Sequence, residues 1–184
     1  YGDERRTEIV PVDSDFSMED MIAEEEVVLT ITHQGYIKRT ALNTYRTQRR
    51  GGRGVQGAMS KDEDFVEHLF IANTHNYMLF FTDMGKCYWL KVYDIPQGGR
   101  AARGRAIVNL IGCDPGERVE AFVSVKDFDD HHYIVMCTKN GIVKKTVLSA
   151  YGNPRKGGIY AIDIRGTDKL FEARISHGEH DILL

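Results

Sequence analysis

The feature that most restricts the fold of this chain is a pattern that occurs three times. Each copy is an apolar run, then Thr-x-x-Gly, then a second strand-like run, and the threonines are Thr32, Thr82 and Thr138. Glycine readily adopts the positive φ that tight hairpin turns need. Each copy is therefore predicted to be a β-hairpin, and the spacings between copies are 50 and 56 residues.

A glycine-rich basic loop follows each hairpin, at 46–54, 97–105 and 153–158. Further apolar segments follow the loops and are predicted to be strands, at 65–72, at 106–111 with 119–125, and at 159–164 with 170–175. About four short strands per repeat of roughly 50 residues are typical of propeller blades, which must stack to bury their faces.

The predicted fold class is therefore all-β, with about three propeller-like blades after a short helical and irregular acidic lead-in. The start of a fourth blade is expected at the end of the sequence, and the absence of an initial Met suggests a piece of a longer protein. The expected divisions are the lead-in 1–26, blade 1 at 27–76, blade 2 at 77–132, blade 3 at 133–179 and a truncated fourth blade at 180–184.

The charge of the chain is unevenly distributed. Its formal net charge is −3, but residues 1–26 contain ten acidic and only two basic residues, so residues 27–184 carry +5. The predicted blades are thus basic and the lead-in is acidic, which favours a polyanionic partner for the blades.

The most basic loop is the segment Gln48-Arg49-Arg50-Gly51-Gly52-Arg53-Gly54, and Arg46 lies just before it. It contains no acidic and no apolar side chain, so it is predicted to be exposed. Arginine side chains bind phosphate oxygens in pairs, and glycine allows the backbone to approach a ligand closely. This loop is the first candidate phosphate-binding site.

Other basic residues recur at equivalent places in the repeat. Lys38-Arg39 and Lys144-Lys145 lie six and seven residues after their threonines, so we expect them on one rim of the blades. The later loops add candidate phosphate contacts at Arg100, Arg103, Arg105, Arg155 and Lys156. A curved basic rim would bind the backbone of bent duplex DNA without reading its sequence.

Catalytic and membrane functions find little support in the sequence. Residues 52–57 match G-x-G-x-x-G, but the strand before and the helix after that a dinucleotide site requires are not predicted, and no P-loop sequence occurs. No catalytic or metal-binding pattern is expected, and no apolar run approaches the roughly 20 residues that span a bilayer. Three widely spaced cysteines favour reduced thiols and a cytoplasmic protein.

The loop 48–54 resembles the signature box of the C-terminal domain of bacterial DNA gyrase A, although that box more often has Lys where this chain has Arg53. The resemblance covers nearly the whole chain. It includes His33-Gln34-Gly35-Tyr36-Ile37-Lys38-Arg39, and the further matching segments are 1–9, 71–75, 102–110 and 140–146. An intact box distinguishes gyrase from its decatenating relative, topoisomerase IV.

The resemblance implies a β-pinwheel whose rim wraps DNA with positive handedness, so that ATP-driven strand passage introduces negative supercoils. It implies that residues 48–54 are needed for wrapping and that residues 1–26 connect to the breakage–reunion region. The catalytic tyrosine, the Mg²⁺ site and the ATPase would lie elsewhere in the enzyme, so this chain itself would need no cofactor. Its partners would be double-stranded DNA, the rest of gyrase A, and gyrase B.

Three alternatives remain open on the sequence. The chain could be the equivalent domain of a topoisomerase IV. It could also be a protein-binding propeller, which would expose an apolar patch and be indifferent to duplex DNA. A nucleotide-dependent enzyme is the third alternative, and thermal stabilisation by NAD or ATP but not by DNA would support it.

Overall fold

A computed structural model describes residues 18–45, 64–99, 101–179 and 181–182 of the chain. The strands are β1 (Glu26–Thr32), β2 (Tyr36–Ala41), β3 (Val66–Asn73), β4 (Tyr77–Thr82), β5 (Lys86–Lys91), β6 (Arg105–Ala106), β7 (Val119–Val125), β8 (Tyr133–Thr138), β9 (Val143–Val147), β10 (Ile159–Tyr160) and β11 (Leu170–Ser176). The α-helix α1 spans Ile107–Ile111, and single 3₁₀ turns occur at Met18–Met21, Leu42–Thr44, Val92–Asp94 and Leu148–Tyr151. The structure is all-β, as predicted.

The three predicted hairpins are confirmed as β1–β2, β4–β5 and β8–β9. Their turn glycines have φ values of 78°, 80° and 82°. The repeated threonine completes each turn, since its hydroxyl accepts the backbone N–H of the residue four positions later at 3.1–3.3 Å. The Thr-x-x-Gly pattern therefore has one structural role in all three copies.

The strands form three antiparallel sheets. Sheet 1 has the order β3-β1-β2-β6, sheet 2 has β10-β5-β4-β7, and sheet 3 has β11-β8-β9. β6 and β10 each come from the repeat after the one whose sheet they complete. Each of these repeats thus adds a short edge strand to the preceding sheet, which ties the successive sheets together.

The central strand of sheet 2, β4, is buried on both faces. Met78 and Phe80 of β4 pack in the core shared with sheet 1, and Leu79 and Phe81 pack in the core shared with sheet 3. This alternation follows from the two-residue period of a strand. It explains why β4 is almost continuously apolar.

The strand predicted at 106–111 is wrong beyond its first residue. Residues 107–111 form α1, and Ile107 and Ile111, one turn apart, are both buried. Gly112 ends the helix with a φ of 64°. The strand predicted at 159–164 is also too long, because only Ile159–Tyr160 pairs with β5.

In the described part of the lead-in, Met18–Met21 form a 3₁₀ turn where the sequence predicted a short helix, and the residues after it pack on the turn between β3 and β4. The Thr74 hydroxyl donates to the Ala23 carbonyl at 2.8 Å, and His75 Nε2 lies 2.8 Å from the Ile22 carbonyl. Glu19 forms a 2.7 Å ion pair with Lys91 at the end of β5. The described part of the acidic segment, from residue 18 on, is therefore attached to sheets 1 and 2.

Candidate nucleic-acid interface

Part of the predicted interface lies outside the described residues. This applies to Arg46, to all of the loop Gln48, Arg49, Arg50, Gly51, Gly52, Arg53 and Gly54, and to Arg100. The expected fourth blade at 180–184 also lies largely outside them. DNA contact by these residues stays a prediction, and the geometry below concerns the remaining candidates.

The prediction that Lys38 lies on an exposed rim is wrong. Its side chain lies inside the fold with 1% of the residue exposed, and its ammonium donates to the Gly99 carbonyl at 3.0 Å. The neighbouring Arg39 is half-buried, and its Nε donates to the Ile95 carbonyl at 2.7 Å. Both side chains are covered because the segment leading to β6, which belongs to the next repeat, crosses β2.

The equivalent lysines of sheet 3 are exposed, as predicted. Lys144 donates to the Ala161 carbonyl at 2.6 Å, and Lys145 lies 4.1 Å from the centre of the Tyr133 ring. Within the described residues no strand pairs with the outer edge of β9, and no segment covers these side chains as the segment leading to β6 covers Lys38 and Arg39. Equivalent positions of the repeat therefore hold a buried cation in sheet 1 and exposed cations in sheet 3.

The second basic loop, 97–105, is built against β2. Arg39 donates its backbone N–H to the Pro96 carbonyl, and Gly98 donates its own to the Arg39 carbonyl, both at 2.9 Å. Gly104 has a φ of 90°, and a Cβ there would lie 2.3 Å from the Ile37 carbonyl oxygen. Only glycine fits this approach, so the end of the loop depends on it.

Arg103 is held at the surface of sheet 1. Its guanidinium lies 3.8 Å from the centre of the Tyr36 ring, donates to Gln34 at 2.6 Å and lies 3.6 Å from the Asp64 carboxylate. The side chain remains 44% exposed. An arginine stacked on a ring loses less conformational freedom when it binds an anion, so Arg103 is well placed for a phosphate.

Three other predicted contacts are exposed. Arg105 lies on β6 at the outer edge of sheet 1, and Arg155 and Lys156 lie in the loop that precedes β10. The described candidates thus occur on all three sheets. DNA contact by each of them stays a prediction.

Sequence reasoning missed the cations that the fold uses internally. Lys86 pairs with Asp114 and Glu117 and lies over the Tyr160 ring, and its hydrogen bond to Asp114 raises its pKa. Lys169 pairs with the buried Asp83 of the neighbouring sheet. Lys86 stands at the position that Tyr36 has in the first hairpin. This difference between the repeats was the signal in the sequence that Lys86 has a role of its own.

Two negative findings concern the described part of the chain. It contains no group of three or more His, Cys, Asp or Glu side chains placed to hold a metal ion. None of its helices combines the length and apolar character needed to cross a membrane.

The family model described as "DNA gyrase C-terminal domain, beta-propeller" matches residues 26–73, 76–126 and 132–176. These three matches correspond to the three hairpins and the strands that follow them. Two solved structures are similar in fold. The C-terminal domain of DNA topoisomerase IV has a TM-score of 0.72 at 31% identity, over 86% of this chain and 48% of that chain. The DNA gyrase A C-terminal domain has a TM-score of 0.64 at 25% identity, over 84% and 49%.

Curated relatives match the whole length of this chain. The DNA gyrase A of Clostridium acetobutylicum is 51% identical over 184 residues, and that of Neisseria gonorrhoeae is 50% identical over 184 residues. The chain spans 22% and 20% of these relatives, about a fifth of their length. The predicted propeller-like fold is therefore that of the matching family, and the chain belongs to the family of DNA gyrase A C-terminal domains.

Proposed function

We propose that this chain binds and wraps duplex DNA as a non-catalytic module of a bacterial DNA gyrase. The complete enzyme would use the wrap to introduce negative supercoils at the expense of ATP. The observation that carries the proposal is the recurrence of exposed cations along the three sheets. They are Arg103 and Arg105 at sheet 1, Arg155 and Lys156 before the β10 strand of sheet 2, and Lys144 and Lys145 on sheet 3.

Contact with the DNA backbone fits this arrangement better than base reading does. The candidates lie on strands and loops of different sheets, and the described residues offer no long helix for a major groove. Cations spread over successive sheets can follow a bent duplex, where binding depends on phosphates and on DNA deformability. We expect binding to be independent of sequence and strongly dependent on salt.

The setting of the module follows from its family. Its partners would be duplex DNA, the rest of gyrase A, and gyrase B, and its location would be the bacterial cytoplasm, with the chromosome. ATP and Mg²⁺ would be bound by other parts of the enzyme. The residues of loop 48–54 would be required for the wrap.

Duplex affinity measured against salt tests the proposal. The chain is compared with its Arg49→Ala/Arg50→Ala/Arg53→Ala variant, and each lost phosphate contact should lower the slope of log K against log salt by about 0.9. We expect a slope lower by roughly 2–3 units in the variant. Equal slopes would place the contacts outside loop 48–54, and no binding by the chain at low salt would contradict DNA binding by this piece.

Wrapping needs a separate measurement. A closed circular DNA is relaxed with a type I topoisomerase in the presence of the chain, and its linking number is then read on a gel. A wrap of positive handedness shifts the distribution to positive linking differences. Binding without any shift would support simple attachment and contradict wrapping.

A second candidate function is that of the equivalent domain of topoisomerase IV. It is favoured by the similarity to the solved topoisomerase IV domain, which has the higher of the two TM-scores given above. In that case the module would belong to a decatenating enzyme. The two candidates differ in the reaction of the complete enzyme, since only a gyrase makes relaxed DNA negatively supercoiled. Loss of that reaction in the triple arginine variant would favour gyrase.

A further inference from the structure

We propose that Lys38 and Thr40 of β2 are positioning residues for the second basic loop, and that Lys38 makes no phosphate contact itself. The inference rests on the proposed function, because it concerns how that loop is presented to DNA. In this arrangement, residues of sheet 1 hold the loop 97–105, which belongs to the second repeat, in position to contact DNA.

The contacts converge on two glycine carbonyls. The Lys38 ammonium donates to the Gly99 carbonyl at 3.0 Å, and the Thr40 hydroxyl donates to the Gly98 carbonyl at 3.1 Å. Between them, Arg39 exchanges backbone hydrogen bonds with Pro96 and Gly98. Three consecutive residues of β2 therefore hold the start of the loop.

The Lys38 side chain also shapes the loop by packing. A Cβ on Gly98 would lie 3.1 Å from the Ala102 Cβ and 3.4 Å from the Lys38 Cδ. The loop backbone thus lies against the methylene groups of Lys38, and the ammonium at their end donates to the Gly99 carbonyl of the same loop. A side chain so enclosed has no free path to a phosphate while these contacts persist.

The other end of the loop is attached to the same sheet. Gly104 lies against the Ile37 carbonyl, and Arg103 stacks on Tyr36. With both ends attached, Arg103 and Arg105 occupy defined positions before DNA arrives. Preorganisation of this kind raises affinity because less ordering is needed on binding.

The other two repeats lack this arrangement. At the position of Lys38, sheet 2 has Tyr88, whose hydroxyl donates to Glu117, and sheet 3 has Lys144, which is exposed and donates to the Ala161 carbonyl. A buried lysine that bonds to a loop carbonyl therefore occurs, among the three hairpins, only where loop 97–105 crosses. Lys144 provides a control of the same residue type at the same repeat position.

A measurement on the protein alone tests the contact. Amide hydrogen exchange is followed over residues 95–105 in Lys38→Met, Thr40→Val and the control Lys144→Met. We expect faster exchange of this segment in the first two variants, unchanged exchange in the control and partial protection in Lys38→Arg. Thermal unfolding checks the fold, which we expect to be retained because methionine replaces a buried cation with an apolar side chain of similar length.

DNA binding then tests the consequence. Lys38→Met should weaken duplex affinity several-fold without changing the salt slope, whereas Arg105→Ala should lower that slope by about 0.9. Recovery of affinity in Lys38→Arg, together with recovered protection of residues 95–105, distinguishes positioning from a general loss of structure.

The outcomes separate the inference from the proposed function. A slope lower by about 0.9 in Lys38→Met would make Lys38 a phosphate contact and overturn the inference. Unchanged exchange over 95–105 would overturn it as well, whatever the DNA result. If the unaltered chain fails to bind duplex DNA while exchange responds as expected, the proposed function fails and the structural role of Lys38 stands.

Discussion

The Asp83 carboxylate accepts a hydrogen bond from the Lys169 ammonium at 2.6 Å, and this ion pair joins sheet 2 to sheet 3. Only 1% of the Asp83 side chain is exposed. Burial alone would raise the pKa of this carboxyl, but the hydrogen bond from Lys169 and the backbone N–H of Arg118 hold it below its usual value. The pair therefore stabilises the ionised form of Asp83.

Asp83→Asn should destabilise the chain at neutral pH by about 2 kcal/mol, because a buried hydrogen bond to a charged partner is lost. A lowered folded-state pKa gives stability that is full above the unfolded value near 4 and is lost as pH falls through the folded value. The difference between the parent and the variant should therefore shrink below about pH 4.

Urea unfolding at pH 7 and pH 3 measures this difference. The single tryptophan, Trp89, is a local probe because its Nε1 donates to the Tyr151 carbonyl, which follows β9. Arg165→Ala, at an exposed ion pair, is the control and should unfold as the parent does. An Asp83→Asn penalty that is equal at both pH values would contradict an ionised Asp83 as the cause.

Gly104→Ala should destabilise the chain by about 1–3 kcal/mol, since alanine would be forced into a positive φ and against the Ile37 carbonyl oxygen. Gly99→Ala is the matched control in the same loop, because no atom lies within 4 Å of a Cβ there. Circular dichroism during urea unfolding compares the two variants. Similar midpoints would show that β6 is not attached to β2 in solution.

Glu19→Ala should let the described part of the lead-in open more often from sheets 1 and 2. The Glu19–Lys91 pair is partly exposed and should contribute at most about 1 kcal/mol, so opening should increase roughly two- to fivefold. Cleavage by an endoprotease specific for glutamate, at 24–26, measures the opening. Lys91→Met, which removes the other partner of the pair, should increase cleavage similarly. Lys139→Met, at another sheet, is the control and should leave cleavage unchanged. Unchanged cleavage in all three variants would show that other contacts hold this segment.

Arg155→Ala/Lys156→Ala should weaken duplex binding and lower the salt slope by about 1.8, two contacts at about 0.9 each. Both side chains are exposed in the loop before β10. Fluorescence anisotropy with a labelled duplex at several salt concentrations measures the slope, with Arg165→Ala as a control of like charge outside the predicted set. Equal losses in the control would indicate a general charge effect without defined contacts.

Local chemistry made much of this fold predictable. The turn threonines and glycines mark all three hairpins, and the continuous apolar run of β4 is typical of a strand buried on both faces. The segment 107–111 was mispredicted because a short apolar run fits a helix turn as well as a strand. The packing of residues 107–111 against sheet 2 decides for the helix over the strand.

The candidate interface was less predictable than the fold. The equivalence of Lys38 and Lys144 is visible in the sequence, yet one is buried and the other exposed. Exposure depends on whether a segment from another repeat crosses the strand, and that crossing joins residues about 60 positions apart. No sequence pattern near Lys38 indicates this crossing.

The sequence alone determined the repeat, the hairpins, the basic loops and the family resemblance, because these depend on residue types at short spacings. Only the tertiary structure decided which sheet β6 and β10 join, which cations are buried and which remain free of the fold's own ion pairs. These properties arise when distant segments pack, and burial changes the environment of a charge far more than its neighbours in the chain do.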